Sequence, residues 1–285
     1  MKLALATCAA LPALDEDGPR LQAALAARGV RSEPAVWSDS AVDWGTYDGI
    51  LIRSTWDYAP RRAEFVAWAT RVAACTRLLN PADVVRWNTD KRYLSALAQA
   101  GVPTVPLTVV DDRADLTLPT AGEFVIKPTI SAGSLDTARF RPEDAEAAIA
   151  LAGAILDSGR GVMVQPYQAG VDTAGETALL FFGGRFSHAI RKGPMLRRGA
   201  DLATGLFAEE AITRRTPTPA ERAIAEQVLA ALPFPTPTYA RVDLVPGAQG
   251  PVLLELELTE PSCFLGYCDE AADRLAASVC ADLAG

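Results

Sequence analysis

The chain has 285 residues, 49% apolar and 22% charged, so it can bury a sizeable core and is too apolar for a disordered polymer. A formal charge of -8 argues against nucleic acid or an anionic membrane surface as the main partner. Five scattered cysteines without a CxxC pair, and one histidine, argue against a zinc site and for a reducing cytoplasm.

Lys2 to Thr7 reads as a buried first strand rather than a signal peptide, because its basic region is one lysine and Asp15-Glu16-Asp17 follows soon after. No apolar run reaches the roughly 18 residues that a membrane span needs. A helix is expected from Asp17 to Arg28 with Gly29 closing it, then strands over Arg31–Trp37 and Tyr47–Arg53, then a helix from Arg61 to Thr76. This alternation predicts a parallel sheet with crossover helices in the first 80 residues or so. Ligands bind beyond the carboxyl ends of such strands. Arg53-Ser54-Thr55-Trp56-Asp57-Tyr58 falls at such an end, which makes Arg53 a candidate to grip a substrate carboxylate. The same pattern fits a surface arginine beside a buried tryptophan.

Asn80-Pro81 marks a break, and a helix is expected from Asp90 to Ala100, ended by Gly101-Val102-Pro103. Glu123 to Pro128 reads as a strand delivering Lys127 at its end. Thr129 to Ser134 then supplies small residues and free N–H groups, the composition of a phosphate-covering loop. Neither a GxxxxGK[ST] loop nor a GxGxxG opening is present. Pro142–Ser158 reads as a helix and Gly161–Tyr167 as a strand. Glu176–Phe182 and Arg185–Ile190 read as a hairpin across Gly183-Gly184. Met195 to Glu210 reads as a loop carrying Arg197 and Arg198, Pro219–Leu232 as a helix, and Asp269–Leu283 as a closing helix. His188, mid-strand, reads as a packed residue in preference to a proton carrier.

Ala240–Val245 and Pro251–Ser262 read as strands joined by Pro246–Gly250. Glu255 and Glu257 leave the same face, and Asp243 can meet them across the hairpin. Three carboxylates on one wall repel each other unless solvated or neutralised. A hard divalent cation that also binds phosphates would neutralise them. A hairpin with one solvated acidic face is the alternative. Two carboxylates on one strand face cannot flank a sugar, which argues against a glycosidase.

Several pieces follow in order: Asn88-Thr89-Asp90-Lys91, Gly101-Val102-Pro103-Thr104, Val125-Ile126-Lys127-Pro128, Val164-Gln165-Pro166-Tyr167, Gly175-Glu176, Ala240-Arg241-Val242-Asp243 and Glu255-Leu256-Glu257-Leu258-Thr259-Glu260-Pro261. Together they resemble the ATP-grasp superfamily of carboxylate–amine ligases over about residues 80–262. The resemblance implies an α/β (α+β) ATP-grasp fold. An N-terminal parallel-sheet domain (1–85) would precede a central subdomain (86–168) and a C-terminal subdomain with the metal site (169–285), the last two sandwiching ATP.

By the same resemblance, Lys91 and Lys127 match phosphate-binding lysines, and Ser131, Gly133 and Ser134 match the loop that closes over the triphosphate. Val164, Gln165, Pro166 and Tyr167 match the adenine hinge, and Glu176 a ribose contact. Lys192 and Arg241 match catalytic cations near the γ-phosphate and the acyl phosphate. Asp243, Glu255 and Glu257 match ligands of Mg²⁺, with Mn²⁺ as the other candidate. The position of Glu257 is often Asn in relatives such as glutathione synthetase. Arg53, Ser54 and Ser262 would contact a small amino-acid-like substrate, and a homo-oligomer is left open.

The segments around Arg53, Lys127 and Glu255 are most similar to the D-cycloserine synthetase type, which closes O-ureido-D-serine into a ring. A two-substrate amino-acid ligase and a non-catalytic nucleotide-binding protein are the alternatives.

Overall fold

The structure, a computed structural model, describes residues 1–194, 196 and 211–285. The expected basic loop with Arg197 and Arg198 lies outside the described residues, apart from Leu196.

The first layer is a parallel sheet of β1 (Lys2–Thr7), β2 (Arg31–Val36), β3 (Gly49–Ser54) and β4 (Arg77–Leu79), ordered β2-β1-β3-β4. Helices α1 (Gly18–Ala27) and α2 (Arg62–Ala73) make the crossovers. Strand β1 is apolar without alternation because both its faces are covered. Leu3 and Leu5 pack with Leu21, Leu25, Leu275 and Val279, whereas Ala4 and Ala6 pack with Trp37, Phe65 and Trp68. The carboxyl ends of β1 and β3 therefore open on one side of the sheet, where a ligand crevice is expected.

After Asn80-Pro81 come two short helices, α3 (Ala82–Asn88) and α4 (Tyr93–Gln99), where the sequence pattern predicted one longer helix from Asp90. Asn88 ends the first, and its amide donates to the Leu256 carbonyl at 2.8 Å and accepts from the Leu258 N–H at 2.7 Å. The second sheet contains β5 (Thr108–Val110), β6 (Phe124–Pro128), β7 (Ala138–Phe140) and β8 (Val162–Pro166), with α5 (Ala145–Asp157) against it. Strand alternation sorts its residues. Phe124, Ile126, Val162 and Val164 face α5, while Val125, Lys127 and Gln165 line a cavity on the other side.

A single turn, α6 (Val171–Ala174), leads into the third sheet: β9 (Glu176–Phe182), β10 (Arg185–Lys192), β11 (Ile212–Arg215), β12 (Tyr239–Gly247) and β13 (Gly250–Glu257), ordered β11-β10-β9-β12-β13 and antiparallel. Helix α7 (Pro219–Ala230) covers it. Thr218 caps α7 by accepting from the Glu221 N–H at 3.2 Å, while Glu221 accepts from the Thr218 N–H at 2.6 Å. Helix α8 (Ala271–Ala284) packs back on α1 and joins both ends of the chain in one core.

The β12–β13 strands run further into the turn than the prolines suggest, with Gly247 opposite Gly250. Strands β4, β5, β7 and β11 have three or four residues each, too short for a periodic signal.

Candidate active site

Register builds the acidic wall as expected: Asp243 lies opposite Glu255, and Arg241 opposite Glu257. The pairing then shifts, with Leu244 opposite Leu253, so Leu254 is an extra residue in β13. Leu253 and Leu256 both stay in the core while Glu255 and Glu257 face a cavity of about 870 Å³. The cavity lies between the second and third sheets and reaches the loops after β1 and β3.

The structure brings most of the expected residues to this cavity. Lys91, Lys127, Ser131, Gly133, Ser134, Gln165, Pro166, Tyr167, Glu176, Lys192, Arg241, Glu255, Glu257 and Ser262 line it. Lys91 donates to the Ser131 carbonyl at 2.8 Å and pairs with Glu255 at 3.0 Å, so it joins the small-residue loop to the acidic strand. Burial works against its charge, but Glu255 outweighs that and holds its pKa above the usual lysine value. Lys127 is 7% exposed, and its ammonium makes no hydrogen bond or ion pair with the described residues. Burial pulls its pKa down to about 8. A buried cation without a partner is an anion site in waiting.

Lys192 is shared between Glu176 at 2.6 Å and Asp243 at 2.8 Å. Gly175 makes this meeting possible, for its φ is +73° and a Cβ there would collide with the Lys192 carbonyl oxygen. Arg241 forks onto Asp243, Nε to Oδ1 at 2.9 Å and Nη2 to Oδ2 at 2.9 Å, and also pairs with Glu257. Burial would raise the Asp243 pKa, but Arg241 and Lys192 together hold it well below the carboxylate range. Burial raises Glu257, and Arg241 only partly offsets it. Its third acidic neighbour, Glu260, is pushed up to about 8 by burial and by Glu257.

Four expectations are corrected. Asp243 does not line the cavity, because both its oxygens are taken by Arg241 and Lys192. Among the described residues no three acidic, His or Cys groups are placed to hold a metal ion. The donor chemistry nevertheless fits Mg²⁺, since Glu255 and Glu257 offer hard oxygens beside lysines that suit phosphates. One or two carboxylates plus phosphate oxygens is a common Mg²⁺ set. Val164 packs in the core behind the hinge, and β8 pairing places it opposite Ile126 and Thr108.

Arg53 and Ser54 do not line the cavity either. Arg53 is 1% exposed and donates to Cys263 Sγ at 3.2 Å and the Pro261 carbonyl at 3.1 Å. It holds the loop after β13 instead of gripping a ligand from solvent. Ser54 is buried and accepts from the Asp15 N–H at 3.2 Å. His188 is neutral and packed: its ring nitrogens meet the Ser187 hydroxyl and the Cys263 carbonyl at 3.0 Å, and burial lowers its pKa to about 4.

Sequence reasoning missed Asp15, Tyr58, Glu260 and Phe264, which line the cavity. The rule that singled out the end of β3 applies equally to the end of β1, and would have found Asp15.

The family described as D-cycloserine synthetase DcsG, N-terminal domain, matches residues 3–80. The cycloserine biosynthesis protein DcsG of Streptomyces lavendulae is 40% identical over 290 residues, covering 96% of each chain. The crystal structure of D-cycloserine synthetase DcsG superposes with a TM-score of 0.91 at 40% identity, over 99% of this chain and 100% of that one. A D-alanine–D-alanine ligase from Bacillus anthracis complexed with ATP gives 0.68 at 14% identity, over 100% and 97%, a likeness of fold alone.

Proposed function

The chain belongs to the D-cycloserine synthetase DcsG family of ATP-grasp ligases, and on that premise we propose that it closes O-ureido-D-serine into D-cycloserine at the cost of ATP. The observation that carries the chemistry is the meeting of Lys91, unpartnered Lys127 and Arg241 with Glu255 and Glu257 around one cavity.

A carboxylate oxygen of the substrate attacks the γ-phosphorus of ATP. The bond to the bridging oxygen breaks and ADP leaves, giving an acyl phosphate. The nitrogen bonded to oxygen in the ureido group then attacks the carbonyl, phosphate departs, that nitrogen loses its proton and the ring closes. Water releases the carbamoyl group as carbamic acid, which gives carbon dioxide and ammonia. Both reacting ends belong to one molecule, so a closed cavity supplies proximity without a second substrate.

Lys91 and Lys127 would hold the phosphates as point charges, and Arg241, aimed by its fork onto Asp243, would set its positive charge beside the acyl phosphate. Mg²⁺ on Glu255 and Glu257 supplies charge neutralisation on the transferring phosphoryl group when bound. Gln165, Pro166 and Tyr167 would border the base. Ser131, Gly133 and Ser134 would cover the triphosphate and keep water from the acyl phosphate.

Purified protein should release ADP with Mg²⁺, ATP and O-ureido-D-serine as sole co-substrate, with the cyclised product seen by mass spectrometry. ADP formed only after a second amine is added would replace this reading with a two-substrate ligase.

A further inference from the structure

The cavity has an arm beside α1 that the phosphate chemistry does not use. Asp15, Glu16, Asp17 and Arg20 line it, and Phe264 and Tyr267 line the same cavity. The three acids differ in what they hold. Both oxygens of Asp17 accept backbone N–H groups, from Cys263 at 2.8 Å and Leu265 at 2.6 Å. Glu16 is exposed. The Asp15 side chain is 9% exposed, and its Oδ1 is buried without a hydrogen-bond partner. Its Oδ2 lies 3.9 Å from Arg53 Nη2, longer than a hydrogen bond.

Charge bookkeeping leaves this arm short of a cation. One guanidinium, Arg53, stands 3.8 Å from Asp17 and 3.9 Å from Asp15, and its remaining contacts go to Cys263 Sγ and the Pro261 carbonyl. Arg20 is exposed and makes no ion pair with the described residues, so it does not neutralise a buried carboxylate. A buried carboxylate with an unused oxygen favours a charged donor. A divalent metal would need several oxygens. Asp17 has none to spare, and among the described residues no such set exists. A single ammonium group needs only the one that Asp15 offers.

The arm is also the right neighbour for the reacting end. Arg241 Nη1 donates to the Ser262 carbonyl at 3.3 Å, and the next residue, Cys263, donates to Asp17. Asp17, two residues from Asp15, therefore holds the same short loop as the guanidinium assigned to the carboxyl end. In an α-amino acid, amine and carboxylate leave the same carbon.

We propose that Asp15 receives the α-ammonium group of the substrate and makes a free amine a requirement for turnover. This rests on the ligase reading above. The test compares O-ureido-D-serine with its analogue bearing hydrogen in place of the α-amine, for the wild type and Asp15→Asn, by ADP release. The wild type should lose about 10- to 100-fold in kcat/KM on the analogue, the scale of one hydrogen bond to a charged group. Asp15→Asn should lose a similar factor on the amine substrate, nothing further on the analogue, and keep its affinity for Mg·ATP. Asp15→Ser gives the same readings should the amide variant not fold. Equal use of both substrates by the wild type, or an equal loss on both in the variant, overturns the inference alone. No ADP from the wild type with either substrate overturns the ligase reading as well.

Discussion

Arg241 and Asp243, two residues apart on β12, hold each other on the face of the strand from which Arg241 reaches the cavity. Nε and Nη2 of the arginine each lie 2.9 Å from a different carboxylate oxygen. The pair is buried, with Asp243 1% exposed and Arg241 6%. Asp243 thus serves to aim Arg241, and Lys192 completes its neutralisation. Arg241→Lys keeps the charge and loses the fork, so kcat/KM for ADP formation should fall about 10²-fold while the fold survives. Arg241→Ala breaks a buried pair and should lower stability by about 3–5 kcal/mol in urea denaturation. Wild-type kinetics in the lysine variant would show that the fork plays no part in the transition state.

Lys127 makes nucleotide binding pH-dependent. Its pKa in the free protein is lowered to about 8 by burial, so it is charged below that pH and neutral above. A bound triphosphate favours the charged form, so binding takes up a proton once the pH exceeds about 8. Affinity for Mg·ATP should therefore weaken as pH rises from 8 to 10. Calorimetry across that range should show the trend in the wild type and a flatter profile in Lys127→Arg, which stays charged. Parallel profiles would place the titration elsewhere.

How far the sequence revealed this site depends on which residues act through their strand. The placement of Lys127, Glu255 and Glu257 at the cavity was legible because period-2 alternation decides their face. The parallel first sheet was legible for a different reason: strands alternate with helices along it, and β1 is apolar on both sides. Arg53 was misread because alternation says that a side chain leaves a strand, but not what lies across from it. The loop at 261–263 arrives from more than 200 residues away and occupies its guanidinium. Asp243 points to the expected side, yet its partners Lys192 and Arg241 close it off, and pairing between strands β9, β10 and β12 is not written in local sequence. Asp15 was passed over for another reason: an acidic run before a helix looks like a solvated cap, although it follows the end of β1.

Glu260 should make the ligand-free protein lose stability as pH rises. Its folded pKa is raised to about 8 by burial and by Glu257, against 4.5 for an ordinary glutamate. Between those values the folded state holds a proton that the unfolded state lacks. Stability conferred by that proton is complete below pH 4.5 and is lost as pH rises through 8. Glu260→Gln carries no charge at any pH. Its melting temperature should match the wild type near pH 4.5 and exceed it by a growing margin up to pH 8.5. A variant no more stable than the wild type at pH 8.5 would show that the carboxyl is ionised at little cost.

Arg160 should govern how tightly ATP use is coupled to product. The loop proposed to cover the phosphates contains Gly133, Ser134 and Asp136, all with positive φ, at 60°, 61° and 55°. For Ser134 and Asp136 that conformation is disfavoured and persists only where contacts enforce it. Arg160 supplies them from the turn after α5: Nη2 pairs with Asp136 Oδ2 at 2.5 Å, and Nη1 reaches the Ile130 carbonyl at 3.4 Å. Both side chains are partly exposed, so the pair contributes modestly to global stability, on the order of 1 kcal/mol or less. Its effect is local, on where the loop rests. Arg160→Ala should leave the melting temperature nearly unchanged and let water reach the acyl phosphate more often. The ratio of ADP to cyclised product, expected close to one in the wild type, should then rise severalfold. A variant that slows both equally, with the ratio unchanged, would mean that the loop closes without this anchor and that water is excluded by the cavity walls.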